Sequence, residues 1–164
     1  MNSKKQLAVA LSRLQAFAKP SARLEQYPTD SEIAAEVIWW AHQNNEIYGK
    51  KVADLGCGTG ILGIGCAFFA PEIVHFVDID RFAVKQLEEN LKLMEIKGEI
   101  HNTDIKNFSE HVDIVFQNPP FGVQSEHADK IFLEQAFKIS RVIYSFHKVE
   151  SDKFIGKLSK ENGF

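Results

Sequence analysis

The 164 residues suit a single domain, and a hydrophobic content of 45% with 13 phenylalanines supports a sizeable core, which excludes a disordered chain. The formal charge of −3 argues against a general polyanion binder, and no apolar run approaches the ~20 residues of a membrane span. There is no apolar signal-peptide core, and Cys57 and Cys66 lack Cys or His partners at metal-ligand spacing, so a cytoplasmic protein with reduced, half-buried thiols and no metal is expected.

Residues 4–18 predict an amphipathic helix with Leu7, Leu11, Leu14 and Phe17 on one stripe, and Pro20 follows its end. No acidic residue precedes Glu25, whereas Lys4, Lys5, Arg13, Lys19 and Arg23 are all present; this arm suits either phosphate contact or a solvated face. Leu24-Glu25-Gln26-Tyr27-Pro28-Thr29 has no periodicity and reads as an ordered loop. Thr29 and Glu32 have capping-box spacing, opening a helix that turns Ile33, Val37, Ile38 and Ala41 inward. Strands at 51–56, 73–78, 98–103, 112–117 and 140–146 then alternate with helices at 60–69, 81–95, 127–139 and 151–161, and a short helical turn falls near 105–109. This order predicts an α/β fold: a Rossmann-like, doubly wound, mainly parallel sheet with helices on both faces. The single domain divides into an N-terminal helical extension with a cofactor-covering loop, 1–48, and a core, 49–164.

The first strand runs into Asp54-Leu55-Gly56-Cys57-Gly58-Thr59-Gly60, and a helix opens at once at Ile61. Alternate glycines let a loop turn tightly and bring backbone N–H groups to a ligand. Gly58 to Gly63 also fits the dinucleotide pattern G-x-G-x-x-G, so a nicotinamide cofactor is one reading. Asp54 favours another, because a carboxylate repels a pyrophosphate but attracts the ammonium and sulfonium of S-adenosylmethionine. Gly63 and Gly65, inside the helix, can serve close packing alone. Asp78, ending the second strand, is placed to accept both ribose hydroxyls, and Asp80 to cap the helix bearing Ala83, Leu87, Leu91 and Met94. Asp104, after the third strand, can accept from an adenine amino group or cap the following turn.

The fourth strand, with Ile114, Val115 and Phe116 consecutive, is followed by Asn118-Pro119-Pro120-Phe121-Gly122. Two prolines end ladder pairing, so the chain leaves the sheet at its carboxyl edge, where open α/β folds bind ligands. Displayed there are the Asn118 amide, backbone carbonyls and the Phe121 ring. An amide oxygen and a carbonyl can accept both hydrogens of an –NH₂ group on a planar substrate, and a ring can stack on its plane.

D-x-G-x-G-x-G, acids after strands two and three, and N-P-P-F after strand four resemble the Rossmann-like S-adenosylmethionine-dependent amino-methyltransferases. With Leu24–Thr29 and Tyr144-Ser145-Phe146-His147-Lys148 in the same order, the chain is identified as a member of the methyltransferase-like protein five family over nearly its whole length. The resemblance implies N6-methylation of adenosine in small-subunit ribosomal RNA, and a small zinc-containing activator protein pairing on the third-strand edge. It implies a cofactor site lined by Gln26, Thr29, Gly56, Thr59, Ile61, Asp78 and Asp104, beside Asp54, Gly58 and Gly60 of the loop. It implies that Asn118, Pro119, Pro120 and Phe121 hold the adenine. His147-Lys148, also at a strand's carboxyl end, suits either substrate contact or a solvated loop. Family members normally continue with two strands forming a C-terminal hairpin, whereas the sequence stops at Phe164. The fifth strand is therefore expected to present an open edge to self-association. Alternatives are a protein glutamine-N5 or other base amino-methyltransferase, and a non-catalytic binding module of the same fold.

Overall fold

In a computed structural model of the protein, residues 1–17, 29–120 and 128–164 are described. Five strands, β1 (Lys51–Leu55), β2 (Ile73–Asp78), β3 (Glu99–Asn102), β4 (Ile114–Gln117) and β5 (Val142–Ser145), form one sheet in the order β3-β2-β1-β4-β5. Every pairing is parallel, with β1 between β2 and β4. The strand order reverses at β1, so the carboxyl ends of β1 and β4 flank the crevice where such sheets take ligands.

Among the described residues six α-helices accompany the strands: α1 (Lys4–Leu11), α2 (Ser31–Gln43), α3 (Ile61–Ala67), α4 (Arg81–Leu93), α5 (Ala128–Ile139) and α6 (Asp152–Glu161). Strand side chains alternate between two hydrophobic clusters, as the period of two demands. Val52, Ile114 and Phe116 pack with Leu7, Leu11, Ile38, Ile64 and Leu87, so α1 and α2 share a core with the sheet. Ala53, Leu55, Val77 and Val115 pack on the other face with Phe108, Ala136 and Ile139.

Three local expectations change. The first helix ends at Leu11 rather than 18, closing through 3-10-like bonds from Arg13 N–H to Ala10 and Leu14 N–H to Leu11. Asp30, not Thr29, caps α2, and its Oδ1 accepts from Glu32 and Ile33 N–H. With that cap Ile33 faces solvent at 53% exposure, while Ile38 and Ala41 are buried. Cys57 and Cys66 are free, and both are fully buried rather than half-buried. Burial pushes both thiols well above their usual range, with Asp54 adding in the same direction. Inside α3, a side chain on Gly63 would strike the Phe76 ring and one on Gly65 would strike Ile38, so these glycines serve close packing.

Candidate active site

The glycine loop joins β1 to α3 with Gly56, Gly58 and Gly60 all at positive φ (+67°, +53° and +92°). Gly58 is doubly constrained. Its backbone is in the left-handed region, and a Cβ there would lie 2.8 Å from the Phe17 ring. The loop is held against β2, since Gly56 and Cys57 N–H both donate to the Val77 carbonyl.

Two buried aspartates organise this loop. Asp54 Oδ2 accepts from Gly63 N–H at 2.8 Å, satisfying a donor in the first turn of α3. Its carboxyl is only 1% exposed, and burial pushes its pKa up to about 7, opposed by the Gly63 bond and helped by Asp78. Asp78 Oδ2 accepts from Gly58 N–H and Oδ1 from Asp80 N–H, each at 2.8 Å. Its pKa also rises, first through burial, while these N–H groups pull it back. Each carboxylate oxygen has a second acceptor site, so Asp78 keeps capacity for hydroxyl donors. Asp104 Oδ1 accepts from Lys106 N–H, taking the capping role of the two the sequence left open. Thr59 and Gly60 are buried in the loop, and Ile61 begins α3.

Asn118 follows β4 directly. Its Nδ2 donates to Thr29 Oγ1 at 3.0 Å, which fixes the amide's orientation. Its Oδ1 is buried and has no hydrogen-bond partner among the described residues. A buried carbonyl oxygen without a donor is costly in a folded protein, which makes it a ready acceptor for an incoming N–H. Pro119 is buried and Pro120 half-buried beside it. Gln26 and Phe121 lie outside the described residues.

Sequence reasoning missed three contributors. Asn90 of α4, fully buried, donates from Nδ2 to the Thr59 carbonyl at 2.9 Å and so anchors the glycine loop. Ile79, next to Asp78, exposes 58% of its surface at the carboxyl edge of β2. Behind Asn118, buried Gln117 donates from Nε2 to its register partner Ser145, whose Oγ lies 2.6 Å from His147 Nε2. Burial lowers the pKa of His147, and Asp129 partly offsets it. The polar chain Gln117–Ser145–His147 thus reaches the β5 end, and only the pairing of two parallel strands brings it together.

A switch-point crevice, a left-handed glycine loop, an acid at the β2 edge and an Asn-Pro-Pro turn at the β4 edge are the arrangement of the Rossmann-like class I methyltransferases. The chain belongs to the methyltransferase small-domain family, whose model matches residues 32–141, and within it to the group that contains the METTL5 proteins. It is similar to the rRNA N(6)-adenosine-methyltransferase METTL5 of Danio rerio, with 32% identity over 96% of this chain and 80% of that protein. An uncharacterized protein of Methanocaldococcus jannaschii is 34% identical over 99% of this chain and 79% of its own length. The crystal structure of a candidate RNA methyltransferase from Pyrococcus horikoshii superposes with a TM-score of 0.94 at 46% identity, covering 99% of this chain and 83% of that one.

Proposed function

We propose that this protein transfers a methyl group from S-adenosylmethionine to N6 of an adenosine in small-subunit ribosomal RNA. The observation that carries the reading is the Asn118 amide: clamped at Nδ2 by Thr29, it holds out at the carboxyl edge of β4 a buried Oδ1 that has no partner among the described residues. An adenine N6 is a weak nucleophile because its lone pair is delocalised into the ring. Asn118 Oδ1 and the Pro119 carbonyl accept its two hydrogens, which favours a pyramidal nitrogen and orients the lone pair. Pro119 and Pro120 keep that edge free of strand pairing, and Phe121 stacks on the base. Positioning and dipole stabilisation supply most of the rate, and no strong base is needed, because the methylated nitrogen loses its extra proton to water after transfer. When bound, the cofactor supplies an electrophilic methyl group on a sulfonium. Asp78 takes the ribose hydroxyls, Gly56, Gly58, Thr59, Gly60 and Ile61 line the loop, and Asp54 offers negative charge toward the cationic end. Gln26 and Thr29 line the cofactor site, and Asp104, whose Oδ1 caps the 3-10 turn, uses Oδ2 to accept from the cofactor's adenine amino group. The target base must be unpaired or flipped out to expose N6.

The same reading assigns the unpaired edge of β3 to a small zinc-containing activator protein, which would add a strand there. β5 pairs only with β4 among the described strands, so its outer edge is open to self-association. No described helix is long and apolar enough to cross a membrane. A cytoplasmic location fits a ribosomal RNA substrate, and the single domain divides into an N-terminal helical extension with a cofactor-covering loop, 1–48, and the 49–164 core.

The test is methyl transfer by the full chain to small-subunit ribosomal RNA, with and without an activator, read by nucleoside mass spectrometry. N6-methyladenosine is expected, together with its loss in Asn118→Ala at nearly unchanged cofactor affinity. Methylation of protein glutamine with none on RNA in either arm would overturn the assignment.

A further inference from the structure

A second constellation lies away from the strand ends. His75 of β2 and Glu99 of β3 are register partners, and His101 lies two residues along β3 on the same face as Glu99. Glu110, after the 3-10 turn at Ile105–Asn107, comes to the same place, so four ligand-type groups converge. His75 Nδ1 is 3.1 Å from His101 Nε2 and 3.4 Å from Glu99 Oε2, and His101 Nε2 is 3.9 Å from that oxygen. Zinc bonds of about 2.0–2.2 Å to nitrogen and carboxylate oxygen put tetrahedral ligands about 3.3 Å apart, so these three edges frame one ion. Glu110 faces the opposite ring nitrogen of His75, with Oε2 3.7 Å from Nε2. A carboxylate facing the far nitrogen favours the proton there and leaves Nδ1 its lone pair, the electrostatic sense of carboxylate–histidine–metal triads. Phe108 wedges both imidazoles, with ring centroids at 5.5 Å from His75 and 5.0 Å from His101.

We propose that His75, Glu99 and His101 bind one divalent first-row transition ion, with Zn²⁺ the best fit, and that Glu110 supports His75 from behind. Two neutral imidazoles and two carboxylates carry a net charge that matches a divalent cation, and a mixed N/O donor set selects zinc, nickel, cobalt or copper over magnesium and calcium. His75 is buried, whereas the Glu99 side chain is 56% exposed, so the fourth position opens to water. His75 precedes Asp78 by three residues, roughly 10 Å along a strand, so the ion is structural. It would tie β2, the edge strand β3 and the segment before β4 together. The residues stand at 75, 99, 101 and 110 on two strands and a loop, which is why the sequence showed no metal-ligand spacing.

The test uses the full chain after chelator treatment, titrated with Co²⁺ and followed by visible ligand-field absorption, then with competing Zn²⁺. One saturating equivalent at micromolar or tighter affinity is expected, displaced by Zn²⁺, with Zn²⁺ raising Tm. His101→Ala and Glu99→Gln, on an exposed edge strand and checked for folding by circular dichroism, should each weaken binding at least tenfold and abolish the Tm rise. Glu110→Gln should bind more weakly than wild type while keeping the absorption band. No saturable binding below millimolar Co²⁺, equal affinity in wild type and both ligand variants, or a sulfur charge-transfer band placing the ion on a cysteine would each overturn the proposal.

Discussion

Asn90 grips Gln15 by both ends of its amide: Oδ1 accepts the Gln15 N–H at 2.9 Å, and Nδ2 donates to the Gln15 carbonyl at 3.0 Å. The same Nδ2 reaches the Thr59 carbonyl. One buried side chain of α4 therefore docks the N-terminal segment onto the glycine loop, and Phe17, two residues on, covers Gly58.

Asn90→Ala leaves the buried Thr59 carbonyl unpaired, at about 1–3 kcal/mol, and removes the anchor of the two backbone groups of exposed Gln15. The expected result is a lower Tm, faster tryptic cleavage after Arg13 and weaker S-adenosylmethionine binding by calorimetry. Unchanged cleavage would mean that the segment is held by something else.

Asn118 and Thr29 divide a single task between acceptor and clamp. Asn118→Ala should lower methyl transfer by about two to three orders of magnitude, the scale for removing one positioned polar group at a reacting centre. Cofactor affinity should stay within a few-fold. Thr29→Val leaves the amide in place but frees it to rotate, so a loss of roughly fivefold is expected, equal to the ~1 kcal/mol of a neutral hydrogen bond. If Thr29→Val matched Asn118→Ala in turnover, Thr29 would act on the substrate itself.

Tyr144 of β5 stacks on Phe116 at 5.2 Å and donates from its hydroxyl to Glu46 Oε2 at 2.6 Å. Burial, then the Glu46 bond, pushes its pKa up to about 12. Tyr144→Phe keeps the stack and loses the bond, so a stability loss of about 1–2 kcal/mol by urea unfolding is expected, with methyl transfer per folded molecule unchanged. A change in turnover instead would tie the β5 edge to catalysis.

What the sequence disclosed depended on how local the signal was. Consecutive apolar residues such as Ile114-Val115-Phe116 mark a strand buried on both faces, and all five strands fall within two residues of their expected limits. The α2 cap is ambiguous in the sequence because Thr29 and Asp30 are both good caps. Asp30 bonds two N–H groups, which releases the Thr29 hydroxyl to Asn118, and no local pattern records that trade. The sequence places no breaker in helix α1 before Pro20, so its end at Leu11 has no local signal. Its true limit follows from Gln15 pairing with Asn90, 75 residues away. Gln117–Ser145–His147 and His75–His101 exist only through strand register, which composition and spacing do not encode.

Asp54 gives the protein a pH signature of its own. In the unfolded chain its pKa is near 3.8, whereas burial raises it to about 7 in the fold. Below pH 3.8 both states hold the proton and nothing is lost. Between 3.8 and about 7 the unfolded chain releases the proton while the native chain keeps it, so stability falls as pH rises; above about 7 the penalty is constant. Asp78 shifts in the same direction, chiefly by burial, and adds to the trend. Asp54→Asn retains an oxygen for the Gly63 N–H and removes the charge, so its Tm should approach the wild-type value near pH 4 and exceed it increasingly up to pH 7, then run parallel. The ionised carboxylate is also what would attract a cationic ligand. Asp54→Asn should therefore bind S-adenosylmethionine more weakly at pH 8 even though its ligand-free fold is the more stable one. A Tm difference independent of pH would show that Asp54 is ionised in the fold throughout, held by its neighbours' N–H groups against burial.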